Sequence, residues 1–205
     1  TTYAASSTLI PSGDVTLYAL WSYTITYNGN GNTSGATPAN GAYTSGSTAY
    51  TVLGANTLAK TGYDFNGWNT AADASGTNYV ATATYSTSAN LSLFAKWTAT
   101  NYTITYSLNS ATTGTLPTQS TKTIGQTFQL AAATGITKTG FTFGGWSDGT
   151  NTYTAGTNYT VGSANVTLTA VWIATYIVTY DKNGATSGSA PALSSYVTGA
   201  TGITL

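Results

Sequence analysis

The sequence predicts a mainly β protein, laid out as a tandem array of modules of about 75 residues. Three observations predict it. The stretch Lys60-Thr61-Gly62-Tyr63-Asp64-Phe65-Asn66-Gly67-Trp68 returns 78 positions later as Lys138-Thr139-Gly140-Phe141-Thr142-Phe143-Gly144-Gly145-Trp146. Each copy is followed by a run with period-two apolar spacing that ends in tryptophan, Leu91 to Trp97 and Val166 to Trp172, and a third such run, Val15 to Trp21, lies ahead of both. Aromatic residues make up 13% of the chain and charged residues 5%, with Thr, Ser, Asn and Gly supplying the polarity, a composition that suits half-exposed strands better than disorder. The repeat divides the chain into two whole modules, 22–97 and 98–172. They are flanked by the end of one module (1–21) and the start of another (173–205).

Five Lys and five Asp cancel, and Arg, Glu and His are missing, so there is no electrostatic footprint for nucleic acid or anionic lipid. The absence of Cys excludes a disulfide framework, a thiolate metal site and a cysteine nucleophile together. No apolar run approaches the roughly 18 residues that span a bilayer, so direct membrane insertion is not expected, and any export signal or anchor is expected outside this stretch.

Taken in order, Val15, Leu17, Ala19 and Trp21 share one strand face, as do Leu91, Leu93, Ala95 and Trp97, then Val166, Leu168, Ala170 and Trp172. A turn-like segment precedes each run. The opening strand of a module comes next: Tyr23 to Tyr27, Tyr102 to Tyr106, Tyr176 to Tyr180. The one to four residues separating it from the preceding tryptophan leave adjacent modules little freedom. Gly/Asn-rich loops follow at Asn28 to Ser47, Ser107 to Pro117 and Asp181 to Pro191, with Asn-Gly pairs that favour tight turns. Ala49 to Leu58 and Thr123 to Ala132 read as a helical turn or a further strand. In the Gly-Trp segment Tyr63 and Phe65 alternate, whereas Trp68 sits at an odd offset. Gly67 and Gly145 therefore predict a bulge that returns the indole to the core side. Beyond it, Gly76-Thr77-Asn78-Tyr79 matches Gly156-Thr157-Asn158-Tyr159.

This order of a Tyr-x-Ile/Val-x-Tyr strand, a Gly/Asn-rich loop, Lys-Thr-Gly-Tyr/Phe-x-Phe-x-Gly-Trp and a closing Leu-x-Ala-x-Trp strand resembles the Listeria–Bacteroides repeat, the B-repeat module of internalin B and of many bacterial surface proteins. The resemblance covers nearly the whole chain. It implies small α+β, β-grasp-like modules in tandem on cell-surface or secreted proteins, with spacer or adhesive roles and no enzymatic activity. Family members usually carry many charges and these copies carry almost none, so charge-based ligand binding does not carry over.

The residues support no catalytic, cofactor or metal site. No two carboxylates fall at equivalent positions of successive modules, and paired acid–base work needs such a pair at fixed geometry. Calcium needs several carboxylates, and a Lys–Asn crosslink needs an acid close by, for which Lys60 and Asp64 are the local candidates. Trp21, Tyr63, Phe65, Trp68, Trp97, Phe141, Phe143, Trp146 and Trp172 are assigned to the core, because they hold repeat-locked positions with apolar period-two partners. The non-repeating Tyr43, Tyr50, Tyr153 and Tyr196 are the better candidates for exposed aromatics that would stack on glycans. Thr-x-Thr pairs such as Thr24/Thr26 and Thr103/Thr105 are too sparse for an ice-binding array. Asn-x-Ser/Thr triplets begin at Asn32, Asn90, Asn101, Asn158 and Asn165, as chance alone produces in so Thr-rich a chain.

The expected protein is a non-enzymatic, extracellular structural repeat protein. It would be the stiff stalk or spacer of a surface protein, or the body of an extracellular filament with strand exchange between subunits. Its partners would be neighbouring repeats or a homopolymer. The alternative is an adhesin whose loops bind glycans or host protein. A binder's loops should keep one cluster from module to module. Here the loops after the opening strands differ in length and content, which favours the spacer.

Overall fold

The computed structural model describes residues 3–4 and 6–200. The chain falls into two compact units, Thr1–Lys60 with Phe65–Thr98, and Thr61–Asp64 with Ala99–Leu205. Among the described residues there is no helix, so the protein is mainly β as expected, while the α part of the α+β expectation is not found.

In the first unit the strands are β1 (Ser22–Asn28), β2 (Gly41–Thr44), β3 (Tyr50–Thr51), β4 (Tyr63–Asn69), β5 (Asn78–Tyr79), β6 (Thr84–Tyr85) and β7 (Leu91–Ala99), with the first residues of β4 and the last of β7 assigned to the other unit. Five form one sheet in the order β2-β1-β7-β4-β5, and β3 pairs with β6 as a separate ribbon. The opening and closing strands run parallel in the middle of the sheet, with Ile25 opposite Leu91 and Tyr27 opposite Leu93. A parallel pair needs a long crossover, and everything from residue 29 to residue 90 supplies it.

Two stretches read differently from the sequence. The loop expected over Asn28 to Ser47 contains β2, which pairs antiparallel with β1, Tyr43 opposite Tyr23. Tyr43 is buried in the core, since the strand turns its ring inward against Tyr85. Within the stretch from Ala49 to Leu58, Tyr50–Thr51 form β3, and no helix is found there.

The second unit repeats the plan with β8 (Asn101–Tyr102), β9 (Ile104–Ser107), β10 (Lys122–Thr123), β11 (Thr127–Gln129), β12 (Phe141–Ser147), β13 (Thr152–Tyr153), β14 (Asn158–Thr160), β15 (Val166–Val178) and β16 (Ser194–Val197). Strand β9 runs parallel to β15, Ile104 opposite Val166 and Tyr106 opposite Leu168. The register between β12 and β15 slips between Phe143 and Gly145, the bulge that the Gly-Trp spacing predicts. Gly67 and Gly145 hold φ of 87° and 127°, and a side chain on Gly145 would meet the Tyr153 carbonyl.

Strand β15 runs unbroken from the closing strand of one copy into the opening strand of the next, whose Thr175–Val178 pair with β16. No hinge separates the two copies there. Each hairpin made by an opening strand ends in a similar turn, Tyr43-Thr44-Ser45-Gly46, Lys122-Thr123-Ile124-Gly125 and Tyr196-Val197-Thr198-Gly199, with each glycine at positive φ.

Topology also corrects one internal match. Tyr79 pairs with Trp68, and the residue that pairs with Trp146 is Tyr153, not Tyr159. Tyr159 pairs instead with Phe128, as Tyr85 pairs with Tyr50. The true equivalence is Tyr79-x-Ala81-x-x-x-Tyr85 with Tyr153-x-Ala155-x-x-x-Tyr159. The Gly-Thr-Asn-Tyr identity is a coincidence in a chain so rich in Thr, Gly, Asn and Tyr.

Candidate functional site

The chemistry of this protein is concentrated in how each module is closed, and the closure is built twice from the same parts. Trp68 and Trp146 are fully buried. Each sits against the opening-strand tyrosine and the strand phenylalanine: Tyr27 to Trp68 is 4.8 Å and Phe65 to Trp68 is 5.1 Å between ring centres, and Tyr106 to Trp146 is 4.7 Å and Phe143 to Trp146 is 5.1 Å. The closing tryptophans complete the stack edge-on, Phe65 to Trp97 at 5.8 Å and Phe143 to Trp172 at 5.7 Å. Such edge-to-face contacts contribute about 0.5–1.5 kcal/mol each beyond area burial.

Buried indoles and phenols must place their polar atoms, and here they grip one residue from both sides. The Trp68 Nε1–H donates to the Leu53 carbonyl (2.8 Å), and the Leu53 N–H donates to the Tyr27 hydroxyl (2.8 Å). In the second unit Trp146 donates to the Ala131 carbonyl (2.9 Å) and Ala131 donates to Tyr106 (3.0 Å). Burial, and at Tyr27 also the neighbouring Tyr50 hydroxyl at 3.2 Å, pushes both phenols above the usual tyrosine range.

Asparagines finish the closure. Asn30 and Asn109 lie at φ of 48° and 50°, where Asn is tolerated better than most residues. The Asn30 side-chain amide donates to the carbonyls of Ala95 (2.9 Å) and Ala72 (2.8 Å), and Asn109 donates to Ala170 (2.9 Å). Trp97 and Trp172 donate to Gly29 and Leu108, each 3.0 Å. At the other end of the parallel pair, Asn90 accepts the Thr24 N–H (2.9 Å) and Asn165 accepts the Thr103 N–H (2.8 Å). From the sequence, Asn30 reads only as half of an Asn-Gly turn pair, and Asn90 and Asn165 as chance glycosylation triplets. The signal that could have found them is their fixed distance from the flanking strands.

Two core assignments are corrected. Trp21 is 65% exposed, with Val15, Leu17 and Leu20 also exposed, and residues 15–21 form no strand. The closing runs of both complete modules lie between an opening strand and a Gly-Trp strand, and no described residues supply that pair to 15–21. An open cleft of about 720 Å³ is lined by Tyr3, Ala4, Ser6, Ser7 and Leu9 on one side and residues 16–20 on the other. Phe141 is 41% exposed, because it starts β12 at the margin of the core, where the Lys138 ammonium covers its ring at 4.8 Å. Tyr63, Phe65, Trp97, Phe143 and Trp172 are half-buried. Of the tyrosines assigned to the surface, Tyr50, Tyr153 and Tyr196 are also half-buried.

Asp64 accepts a hydroxyl proton from Thr100 (3.0 Å), and Lys96 donates to Asn78 (3.1 Å). Among the described residues no three acidic, His or Cys side chains gather in a way that could hold a metal, and no helix is long and apolar enough to cross a membrane. The loops beyond the Gly-Trp strands differ sharply. Residues 70–77 fold around the buried Asn69, whose side chain bonds to Ala71, Ala74, Gly76 and Asn78. Residues 148–151 form a tight turn around Asp148, which accepts from Thr150, Asn151 and Tyr153.

Fold and closure together define a tandem-repeat β protein whose modules share one core and differ in their loops. Residues 23–96 and 102–171 match the Listeria-Bacteroides repeat domain, and the chain belongs to that family. It is 30% identical over 172 residues to a provisionally named Gly-rich membrane protein of Evansella cellulosilytica, across 79% of this chain and 20% of the relative. It is 40% identical over 94 residues to a second protein of that organism, provisionally named a membrane protein, across 44% of this chain and 14% of the relative. The chain thus spans a fifth or less of the length of the curated relatives it matches. No solved structure matches it.

Proposed function

We propose that this chain is a non-enzymatic structural stretch of a bacterial cell-envelope protein, serving as a stiff spacer that sets distance along a tandem array. The observation that carries the reading is β15, a 13-residue strand shared by two successive copies. At about 3.3 Å per residue it forms a link of roughly 40 Å with no flexible joint. Family membership and the membrane-protein names of the relatives support an envelope location. The partners in this reading are neighbouring modules of the same protein.

The differing loops after the Gly-Trp strands weigh against a shared ligand-binding surface. An adhesin would present one polar or aromatic cluster in each module. The test is protease shaving of intact cells of the producing organism, with negative-stain microscopy of the released protein. Surface release of straight rods that lengthen with module number is the expected result. Retention of the protein inside intact cells, or collapsed and flexible particles, refutes it. Glycan or host-protein capture by single modules would move the adhesin ahead.

A further inference from the structure

We propose that each module is a mechanical clamp, in which tension along the chain is borne in shear by the parallel pair of its opening and closing strands. The inference deepens the spacer reading and rests on it for its biological setting. Its physical content rests on the topology alone.

The rungs Ile25↔Leu91 through Asn28↔Phe94 join β1 to β7, and Ile104↔Val166 through Ser107↔Thr169 join β9 to β15. Because these strands are adjacent and parallel, the chain enters a module at one end of the pair and leaves at the other. Ser22 and Trp97 are separated by about nine residue rises along the register, roughly 30 Å. Pulling between them slides one strand along the other and loads all the rungs together. In the β1–β2 hairpin, a pull at the end where Ser22 faces Thr44 opens the rungs one after another.

Side chains reinforce the sheared pair beyond its backbone rungs. Asn90 and Asn165 pin its start, Asn30 and Asn109 pin its end, and Trp97 and Trp172 add an indole bond to the turn after the opening strand. On the outer face, hydroxyl pairs cross the same two strands, Thr26 with Ser92 at 3.2 Å and Thr105 with Thr167 at 2.9 Å. Every one of these bonds joins the two strands that carry the load or the turn beside them. Strand β15 then passes tension straight into the next opening strand.

The experiment is single-molecule force spectroscopy on the full chain. The sequence has no cysteine, so two introduced thiols define the pulling points without interference. Ser22→Cys with Thr98→Cys loads the pair in shear, and Ser22→Cys with Thr48→Cys peels the hairpin. The shear pair is expected to rupture at several-fold higher force at the same loading rate, with a length gain of about 240 Å from an extended chain at roughly 3.6 Å per residue. Equal forces in the two geometries would overturn the clamp while leaving the spacer reading intact, since shaving and microscopy test that separately. Asn30→Ala with Asn90→Ala is expected to lower the shear force and leave the peeling force unchanged. An equal drop in both refutes the pinning role, and the comparison of geometries stands without these variants.

Discussion

Tyr106→Phe is the cleanest perturbation of the closure, because it removes one oxygen and keeps the ring. The ring continues to pack on Trp146, so the apolar contribution is unchanged to first order. What is lost is the acceptor for the Ala131 N–H at 3.0 Å, while the carbonyl of that residue stays bound to the Trp146 indole. The amide is then left without its partner in a partly buried position, which costs about 1–3 kcal/mol. For a unit of this size, that corresponds to a fall in Tm of roughly 4–12 °C. A control is available in Tyr153→Phe, whose hydroxyl donates to an Asp148 carboxylate that solvent can reach, so its loss leaves no buried group unpaired and should cost less than Tyr106→Phe. Urea unfolding followed by tryptophan fluorescence reads both, provided the slope with denaturant is unchanged. Amide hydrogen exchange at Ala131 gives a local reading, with faster exchange expected in Tyr106→Phe. If Tyr106→Phe matches the wild type within about 0.5 kcal/mol, or costs no more than the control, the two-sided grip does not hold the module closed.

Three further outcomes are expected. Gly145→Ala combines a positive φ with a Cβ that would meet the Tyr153 carbonyl, so a loss of more than about 2 kcal/mol is expected in thermal melts, against near-neutral behaviour at a Gly with ordinary backbone and open space such as Gly162. Asn30→Gly keeps the left-handed turn accessible but removes the bonds to Ala72 and Ala95, and should cost about 1–3 kcal/mol with faster exchange in β7; a smaller loss than in Asn32→Gly would argue against the clasp. Stability should be flat from about pH 5 to pH 9, because the chain has no His or Glu. Above about pH 10 it should fall, since burial raises Tyr27 and Tyr106 and the unfolded state gives up its phenolic protons first. On the acid side the Asn151 N–H, with lesser help from Thr150 and Tyr153, holds Asp148 below the usual range. Its small contribution is present above the ordinary Asp range and is lost as the pH falls below it. Urea midpoints across pH 3–11 check all of this, and a marked change in stability between pH 5 and pH 9, or none above pH 10, would contradict it.

The parts legible in the sequence are those where a physical period or an exclusion acts locally. Leu91, Leu93 and Ala95 alternate because one strand face is buried, and the odd offset of Trp146 from Phe143 exposes the bulge between Phe143 and Gly145. The strand β2 was hidden because Gly41-Ala42-Tyr43-Thr44 is short and lies in a glycine-rich stretch, where its pairing with Tyr23 is a tertiary fact. Tyr79 and Tyr153 are separated from their tryptophans by loops of different length, so only the pairing itself makes them equivalent. Trp21 shows the converse: its pattern is that of a buried strand, yet burial requires two partner strands that a pattern cannot supply. The closure was missed for a related reason. Asn30, Asn90 and the Leu53 peptide act across more than 20 residues of sequence, and none of them belongs to an apolar period.

The turn after the Gly-Trp strand carries a consequence for how such modules change over time. In one copy it is organised by Asn69 and in the other by Asp148, each satisfying its own backbone groups from within. The core beneath holds the same Trp–Tyr pair in both cases, Trp68 with Tyr79 and Trp146 with Tyr153. Between these two copies the difference in turn length is absorbed where it occurs and leaves the Trp–Tyr pairing unchanged. A lineage can therefore rewrite this tip freely while the module keeps folding, and a protein engineer can graft a foreign peptide into it with the same expectation.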